Sequence, residues 1–340
     1  MAIEFERLFS GKLPPNLMEL LIDRYTHQPP EILIGAQLGE DATVIDQGDT
    51  FLLVKTDPIT FTSEQIGVYA VQINANDIYC MGGRPRWFLS TILLPENCAT
   101  RKMADEIFSQ ISQTCEQMGV AYCGGHTEVT VDLNRPIVVG QMLGTAGRHE
   151  LLDKRSVAVG DHLLVFREVP LEGTVILATQ FAKKVRKLFS AELGEKCRSL
   201  LYEPGLNVGP IVELVRESGT VHALHDPTEG GLATALMEIT RPSGLFVDVT
   251  YEAIPILPEG KLLCDEFGLD PLGTLSSGAL LAAVPEKAVK EILTRCEAQG
   301  VIASDIGLVH EEESGHILRT DGTAAPLPVF IRDEIVKIWR

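Results

Sequence analysis

Strand-length apolar runs alternate with stretches of helical period along almost the whole chain, and this alternation excludes an all-helical bundle and an all-β sandwich. Pro14 and Pro15 precede Leu17, Leu20, Leu21 and Arg24 at helical spacing, predicting a packing helix over 15–25. Residues 42–46 and 51–55 read as strands joined by Gln47-Gly48-Asp49, a hairpin at the edge of a first sheet. From Ser63 as N-cap, Ile66, Ala70, Ile73, Asp77 and Cys80 fall on one helical stripe ending at Gly82-Gly83. A buried strand over 87–94 follows, and then a helix marked by Met103, Ile107, Ile111, Cys115 and Met118 and closed by Gly119. Strands over 120–123 and 137–143 complete a ferredoxin-like β-α-β layout. The expected fold class is therefore α/β, with an α+β first domain over 1–147 and a layered α/β domain over 148–340.

In the second part the pattern predicts strands over 162–166, 221–224, 245–249, 279–284 and 303–309, interleaved with helices over 172–183, 208–217, 231–240, 260–267 and 286–299. At 340 residues and 45% hydrophobic content the chain is long enough for two cores.

Lys and Arg total 29 against 47 Asp and Glu, a formal charge of −18. Such a field repels nucleic acid and anionic lipid, so neither is an expected partner. A small anionic ligand remains compatible, because a divalent cation held by carboxylates inverts the local field. Seven cysteines without a Cys-x-x-Cys pair read as reduced thiols. The start Met1-Ala2-Ile3-Glu4-Phe5-Glu6-Arg7 shows no secretory pattern and no apolar run reaches membrane-span length, which makes the cytoplasm the expected compartment.

Three acidic segments stand out: Leu38-Gly39-Glu40-Asp41-Ala42, Lys55-Thr56-Asp57-Pro58-Ile59 and Asn74-Ala75-Asn76-Asp77-Ile78. Magnesium takes oxygen ligands and bridges carboxylates to phosphates, so dispersed aspartates can converge on an ion. From spacing alone Asp41 and Asp57 read as turn residues; only Asp77, an acid on an apolar stripe, demands a partner or a metal. Gly124-Gly125-His126-Thr127, after a short strand, offers permissive backbone and a hydroxyl to a phosphate, or simply a turn. His225-Asp226-Pro227-Thr228-Glu229-Gly230-Gly231 joins a strand to a helix whose N-terminus can receive an anion, or is a capped turn. Lys12, in Ser10-Gly11-Lys12-Leu13, reads as a surface lysine.

In their order along the chain, Gly39-Glu40-Asp41-Ala42, Thr56-Asp57, Asn76-Asp77, Gly124-Gly125-His126-Thr127, Asp226-Pro227-Thr228-Glu229-Gly230-Gly231 and Leu269-Asp270-Pro271-Leu272 resemble the AIR synthase-related (PurM) superfamily. Its members include aminoimidazole ribonucleotide synthetase, thiamine-monophosphate kinase, selenophosphate synthetase and the hydrogenase maturation factor HypE. The last two strings look most like HypE and its relatives. The resemblance implies a PurM-like two-domain fold, a homodimer whose N-terminal domains form a β-barrel, and ATP in the cleft between domains. It implies magnesium and phosphates at Asp41, Asp57 and Asp77, with Asn76, Gly124, Gly125, His126, Thr127, Asp226, Thr228 and Gly230 completing the nucleotide site. It also implies ATP-dependent phosphoryl activation of an acceptor, and a protein partner in a maturation pathway.

Two departures bear on activity. The sequence ends Ile338-Trp339-Arg340 without the terminal cysteine that HypE modifies, so the usual HypE self-modification is not expected. Ser276-Ser277-Gly278 stands where HypE proteins show Asn-Glu-Gly, and a serine cannot replace the carboxylate in proton transfer. Two readings therefore stand open: an ATP-dependent enzyme acting on an unidentified acceptor, and a nucleotide-binding maturation partner or sensor without chemistry.

Overall fold

The computed structural model describes Leu8 and residues 10–338; the opening heptapeptide and the final Trp339-Arg340 lie outside the described residues. Helix α1 (Pro15–Tyr25) begins on a proline at its first position, where the missing N–H costs nothing. The packing role expected for it is modest, since none of its residues is fully buried.

The first sheet contains β1 (Ile32–Ile34), β2 (Thr43–Asp46), β3 (Thr50–Ile59), β4 (Arg84–Pro95), β5 (Ala121–Thr130) and β6 (Ile137–Gly147), in the spatial order β1-β2-β3-β6-β4-β5. The hairpin of β2 and β3 is present, with Asp46 opposite Phe51, but β1 and not the hairpin forms that edge. Helices α2 (Ile66–Cys80) and α3 (Arg101–Gln117) connect β3 to β4 and β4 to β5. Because α3 crosses between parallel β4 and β5 while the other pairings are antiparallel, both helices fall on one face. Thr100 caps α3 by accepting the Met103 N–H at 3.1 Å, as its side chain is suited to do. Ser63 does not cap α2; left-handed Gln65 precedes that helix and no side chain caps it. Helix α2 is buried nearly all round, Asp77 included, because it lies between the first sheet and the second half of the chain.

The second sheet, β7 (His162–Phe166), β8 (Ala223–His225), β9 (Phe246–Thr250), β10 (Leu280–Val284), β11 (Ala303–His310), β12 (His316–Leu318) and β13 (Ala324–Pro326), has the order β13-β12-β9-β11-β7-β10-β8. Helices α4 (Leu171–Gln180), α5 (Ala182–Leu188), α6 (Ala191–Ser199), α7 (Gly209–Ser218), α8 (Gly231–Thr240), α9 (Pro258–Phe267) and α10 (Glu286–Ala298) accompany it. Strand and helix alternate as expected, yet only β12 and β9 pair in parallel. Helix α6 and the short β12 and β13 carry no apolar periodicity long enough to show in sequence.

One core cluster runs across both halves, joining Ile66, Tyr69 and Ile73 of α2 to Leu171, Val175 and Ile176 of α4. Asn76 reinforces that seam: its amide donates to the Leu206 carbonyl at 2.9 Å and accepts the Val208 N–H at 3.1 Å. All seven cysteines are free, five of them buried. No helix among the described residues is long and apolar enough to cross a membrane.

Candidate active site

Alternation along β3 sets the site. Phe51, Leu53 and Ile59 face the helices and are buried, so Lys55 and Asp57, in the same phase, face the helices too. Asp57 is therefore part of a strand and not a loop residue. The Lys55 ammonium lies 3.2 Å from Asp77 Oδ1 and 3.6 Å from Asp57 Oδ2. Asn74, one turn before Asp77 on α2, donates to the Asp57 carbonyl at 3.2 Å and so locks helix to strand at this level. Burial alone would drive the Lys55 proton off, but Asp77 and Asp57 hold it and raise the pKa above the usual lysine range.

Asp41, in the turn before β2, meets a second buried group. Its Oδ1 accepts from the Lys154 ammonium at 2.9 Å and lies 2.8 Å from His225 Nδ1. Lys154 also donates to the Gly39 carbonyl, and it is 2% exposed, so its charge is fully committed. His225, at the end of β8, reaches Glu238 on α8 with its other nitrogen at 2.9 Å. Burial opposes ionisation of Asp41, yet His225 and Lys154 overcome it and hold the carboxyl well below the usual range. Burial likewise works to lower His225, while Asp41 raises it, with a net upward shift. Glu238 is brought down to about 2, against burial, by Lys12 and His225. Lys12 is half-exposed, 3.4 Å from Glu238, and its backbone N–H donates to Glu229 at 3.2 Å.

Asp226 differs from all of these. It is completely buried, and among the described residues neither carboxylate oxygen has a hydrogen-bond partner. Burial, and then the neighbouring Asp41, push its pKa up to about 6. One ligand atom each of Asp41, His225 and Asp226 lies within 4.8 Å of the others, and Asp77 Oδ2 is also buried without a partner. Lys55, Lys154, Lys12 and His225 thus face Asp41, Asp57, Asp77, Asp226, Glu229 and Glu238, and the acids are left in excess. The unpaired oxygens of Asp226 and Asp77 Oδ2 are the hard ligands a divalent cation such as magnesium takes, so these carboxylates fit that ion, while His225 and Asp41 are already engaged with each other.

Other predicted residues are placed differently. Gly124, Gly125, His126 and Thr127 are inside β5 and not in a loop after it. Gly125 is opposite Ser90, Ser90 opposite Gly140, and Gly140 opposite Asp57. Three strand spacings, roughly 14 Å, therefore separate this segment from Asp57. A glycine is needed at 125 because, at φ +140°, a Cβ would sit 1.9 Å from the Ser90 carbonyl oxygen. His126 is exposed and 3.2 Å from Glu128. The anion site expected at the start of α8 is already filled, since the Gly230 N–H donates to Asp333 at 2.8 Å. The Asn76 amide is engaged by Leu206 and Val208, as described above. Thr228 and Asp57 line a cavity of about 460 Å3 with Lys12, Glu172, Glu229 and Ser277. Gly230 lines a more apolar cavity of about 410 Å3 that shares Lys12 and Glu229 with the first.

Sequence reading missed Lys55, Lys154, Glu172 and Glu238. The inward phase of Lys55 was available from the strand's alternation; Lys154, in a polar connection, gave no local signal.

The profile described as AIR synthase related protein, N-terminal domain, matches residues 39–146, and its C-terminal counterpart matches residues 158–318. The chain belongs to the AIR synthase related family. Within that family it is 29% identical to a putative hydrogenase expression/formation protein of Methanocaldococcus jannaschii, covering 84% of each chain. It is 26% identical to the carbamoyl dehydratase HypE of Rhodobacter capsulatus, covering 99% of this chain and 100% of that one. Among solved structures, the HypE-HypF complex aligns with TM-score 0.75 at 18% identity, over 92% of this chain and 98% of that one. HypE in complex with ATP aligns with TM-score 0.69 at 22% identity, over 91% and 90%. The chain is also 27% identical to a selenide, water dikinase of Aeromonas salmonicida, over 89% of this chain and 86% of that one, and the structural likenesses establish the PurM-like α/β fold.

Proposed function

We propose that the chain binds ATP with magnesium at the buried carboxylates and transfers a phosphoryl group to an acceptor. The observation that carries this reading is Asp226, a fully buried carboxylate with both oxygens unpaired beside Asp41 and a cavity that Asp57 and Thr228 line. A buried carboxylate with neither oxygen paired costs stability in the metal-free chain, and a bound cation relieves that cost. Asp57, Asp77 and Asp226 would hold the magnesium, with Asp41 fixed beside them by Lys154 and His225. When bound, the ion neutralises phosphate charge and orients the transferring group. Lys55 keeps Asp57 and Asp77 aligned. The ATP bound by HypE supports the choice of nucleotide.

Residues 1–147 and 148–340 are proposed as the nucleotide-binding and the α/β domain, and the protein as a cytoplasmic homodimer. On the face of the first sheet away from the helices, Leu52, Val54, Leu89, Leu93, Val139 and Leu143 are half-buried, and no helix or strand among the described residues covers them. A second copy packing there closes the barrel that the family resemblance implies. A protein partner of the maturation type is proposed by analogy with HypE bound to HypF.

The test is steady-state ADP release from magnesium-ATP. Turnover by the wild type and its loss in Asp57→Asn and Asp77→Asn support the reading; tight ATP binding without turnover, with or without candidate acceptors, supports the sensor reading instead.

A further inference from the structure

The carboxyl that position 277 lacks is present in space. Glu172, in the first turn of α4, is 5% exposed, lines the 460 Å3 cavity together with Asp57, Thr228, Lys12 and Glu229, and approaches both the backbone and the hydroxyl of Ser277. The Ser277 hydroxyl is buried and has no hydrogen-bond partner among the described residues, which leaves it free to turn toward an incoming group. A glutamate in the mostly apolar run Leu171-Glu172-Gly173-Thr174-Val175-Ile176-Leu177 is an exception on a buried helix, and it lines the cavity that Arg135 and Lys12 also line. The glycine after it allows the approach: a Cβ on Gly173 would sit 2.4 Å from the Thr274 methyl, so α4 lies directly against the 274–278 turn.

We propose that Glu172 is the proton-accepting residue of phosphoryl transfer in this chain, supplied from α4 in place of a carboxylate at 277. The inference rests on the proposed ATP-dependent activity. In the step, the proton of an acceptor O–H or N–H passes to Glu172 as the acceptor atom bonds to the γ-phosphorus. The bond from that phosphorus to the bridging oxygen breaks, and its electron pair leaves on ADP. Water as acceptor gives ADP and inorganic phosphate.

The surroundings suit a base that works near neutrality. Burial pushes Glu172 up to about 8; Ser277 opposes that rise, and Asp333 and Asp226 add to it. Tyr69 of α2 also lies close enough to sense the carboxyl charge. A base with that affinity takes a proton readily and still exists in deprotonated form at mild pH.

The experiment measures ADP release from magnesium-ATP with water as acceptor, alongside ATP affinity by calorimetry, for wild type, Glu172→Gln, Glu172→Ala and Glu172→Ala with Ser277→Glu. The expected result is a kcat about a hundredfold lower in Glu172→Gln with ATP affinity within about twofold, and recovery of about tenfold or more when Ser277→Glu is added to Glu172→Ala. In the wild type, turnover rises with pH through about 8, and Glu172→Gln loses that rise. The rescue arm separates loss of a proton acceptor from loss of structure. Unchanged turnover in Glu172→Gln overturns this inference alone. A wild type that binds magnesium-ATP and releases no ADP, with water or with candidate acceptors, overturns the activity on which it rests.

Discussion

Replacing Asp226 by asparagine should make the metal-free protein more stable while removing its response to magnesium. The magnitude follows from the site. Asp226 is fully buried, and its pKa rises from 3.8 to about 6 on folding. Two units at about 1.4 kcal/mol each place the cost of ionising it in the folded chain at about 3 kcal/mol. Its sign is that of a raised carboxyl: between pH 3.8 and about 6 the folded state holds more protons than the unfolded state, so stability falls across that window and is flat above it. At about pH 8 the full penalty applies, and the neutral amide escapes it, less about 1 kcal/mol for its own unmet hydrogen bonds. Urea unfolding at about pH 8 with a chelator should therefore show Asp226→Asn more stable by about 1–3 kcal/mol. Adding magnesium and ATP should stabilise the wild type and leave the variant unmoved. A variant less stable than the wild type without metal, or one stabilised equally by magnesium-ATP, refutes the reasoning.

Lys154→Met leaves Asp41 buried beside His225 alone and should cost about 3–5 kcal/mol by urea unfolding, with part restored in Lys154→Met combined with Asp41→Asn; strictly additive effects contradict the ion pair. Asn76→Ala strips partners from the Leu206 carbonyl and Val208 N–H and should destabilise by about 2–4 kcal/mol; a loss under about 1 kcal/mol removes the bridging role. Leu143→Glu, on the open face of the first sheet, should convert a dimer to a monomer in sedimentation velocity without altering the melting of the second half; a wild type that sediments as a monomer removes the barrel from the account.

Long periodic segments were legible because burial imposes their period. Helix α8 over 231–240 and strand β7 over 162–166 fall where the pattern placed them. Pairing direction was not legible, since alternation of strand and helix suits parallel and antiparallel connections alike. The glycines at 124 and 125 look like a turn because a turn and a close strand approach need the same freedom from a Cβ; only the Ser90 carbonyl, far away in sequence, tells them apart. The odd position of Asp77 on an apolar stripe was legible and is explained by Lys55. Its neighbours were not: Lys154, Glu238 and Glu172 join the site through long-range packing, and the Asp333 cap of α8 comes from 103 residues downstream.

The most direct test of the central claim is calorimetric titration of ATP into the wild type, Asp77→Asn and Asp226→Asn, with magnesium and with a chelator. The account predicts binding by the wild type that requires magnesium and is lost or weakened by about tenfold or more in both variants. ATP binding of equal affinity in all three proteins, or undiminished by the chelator, would contradict it.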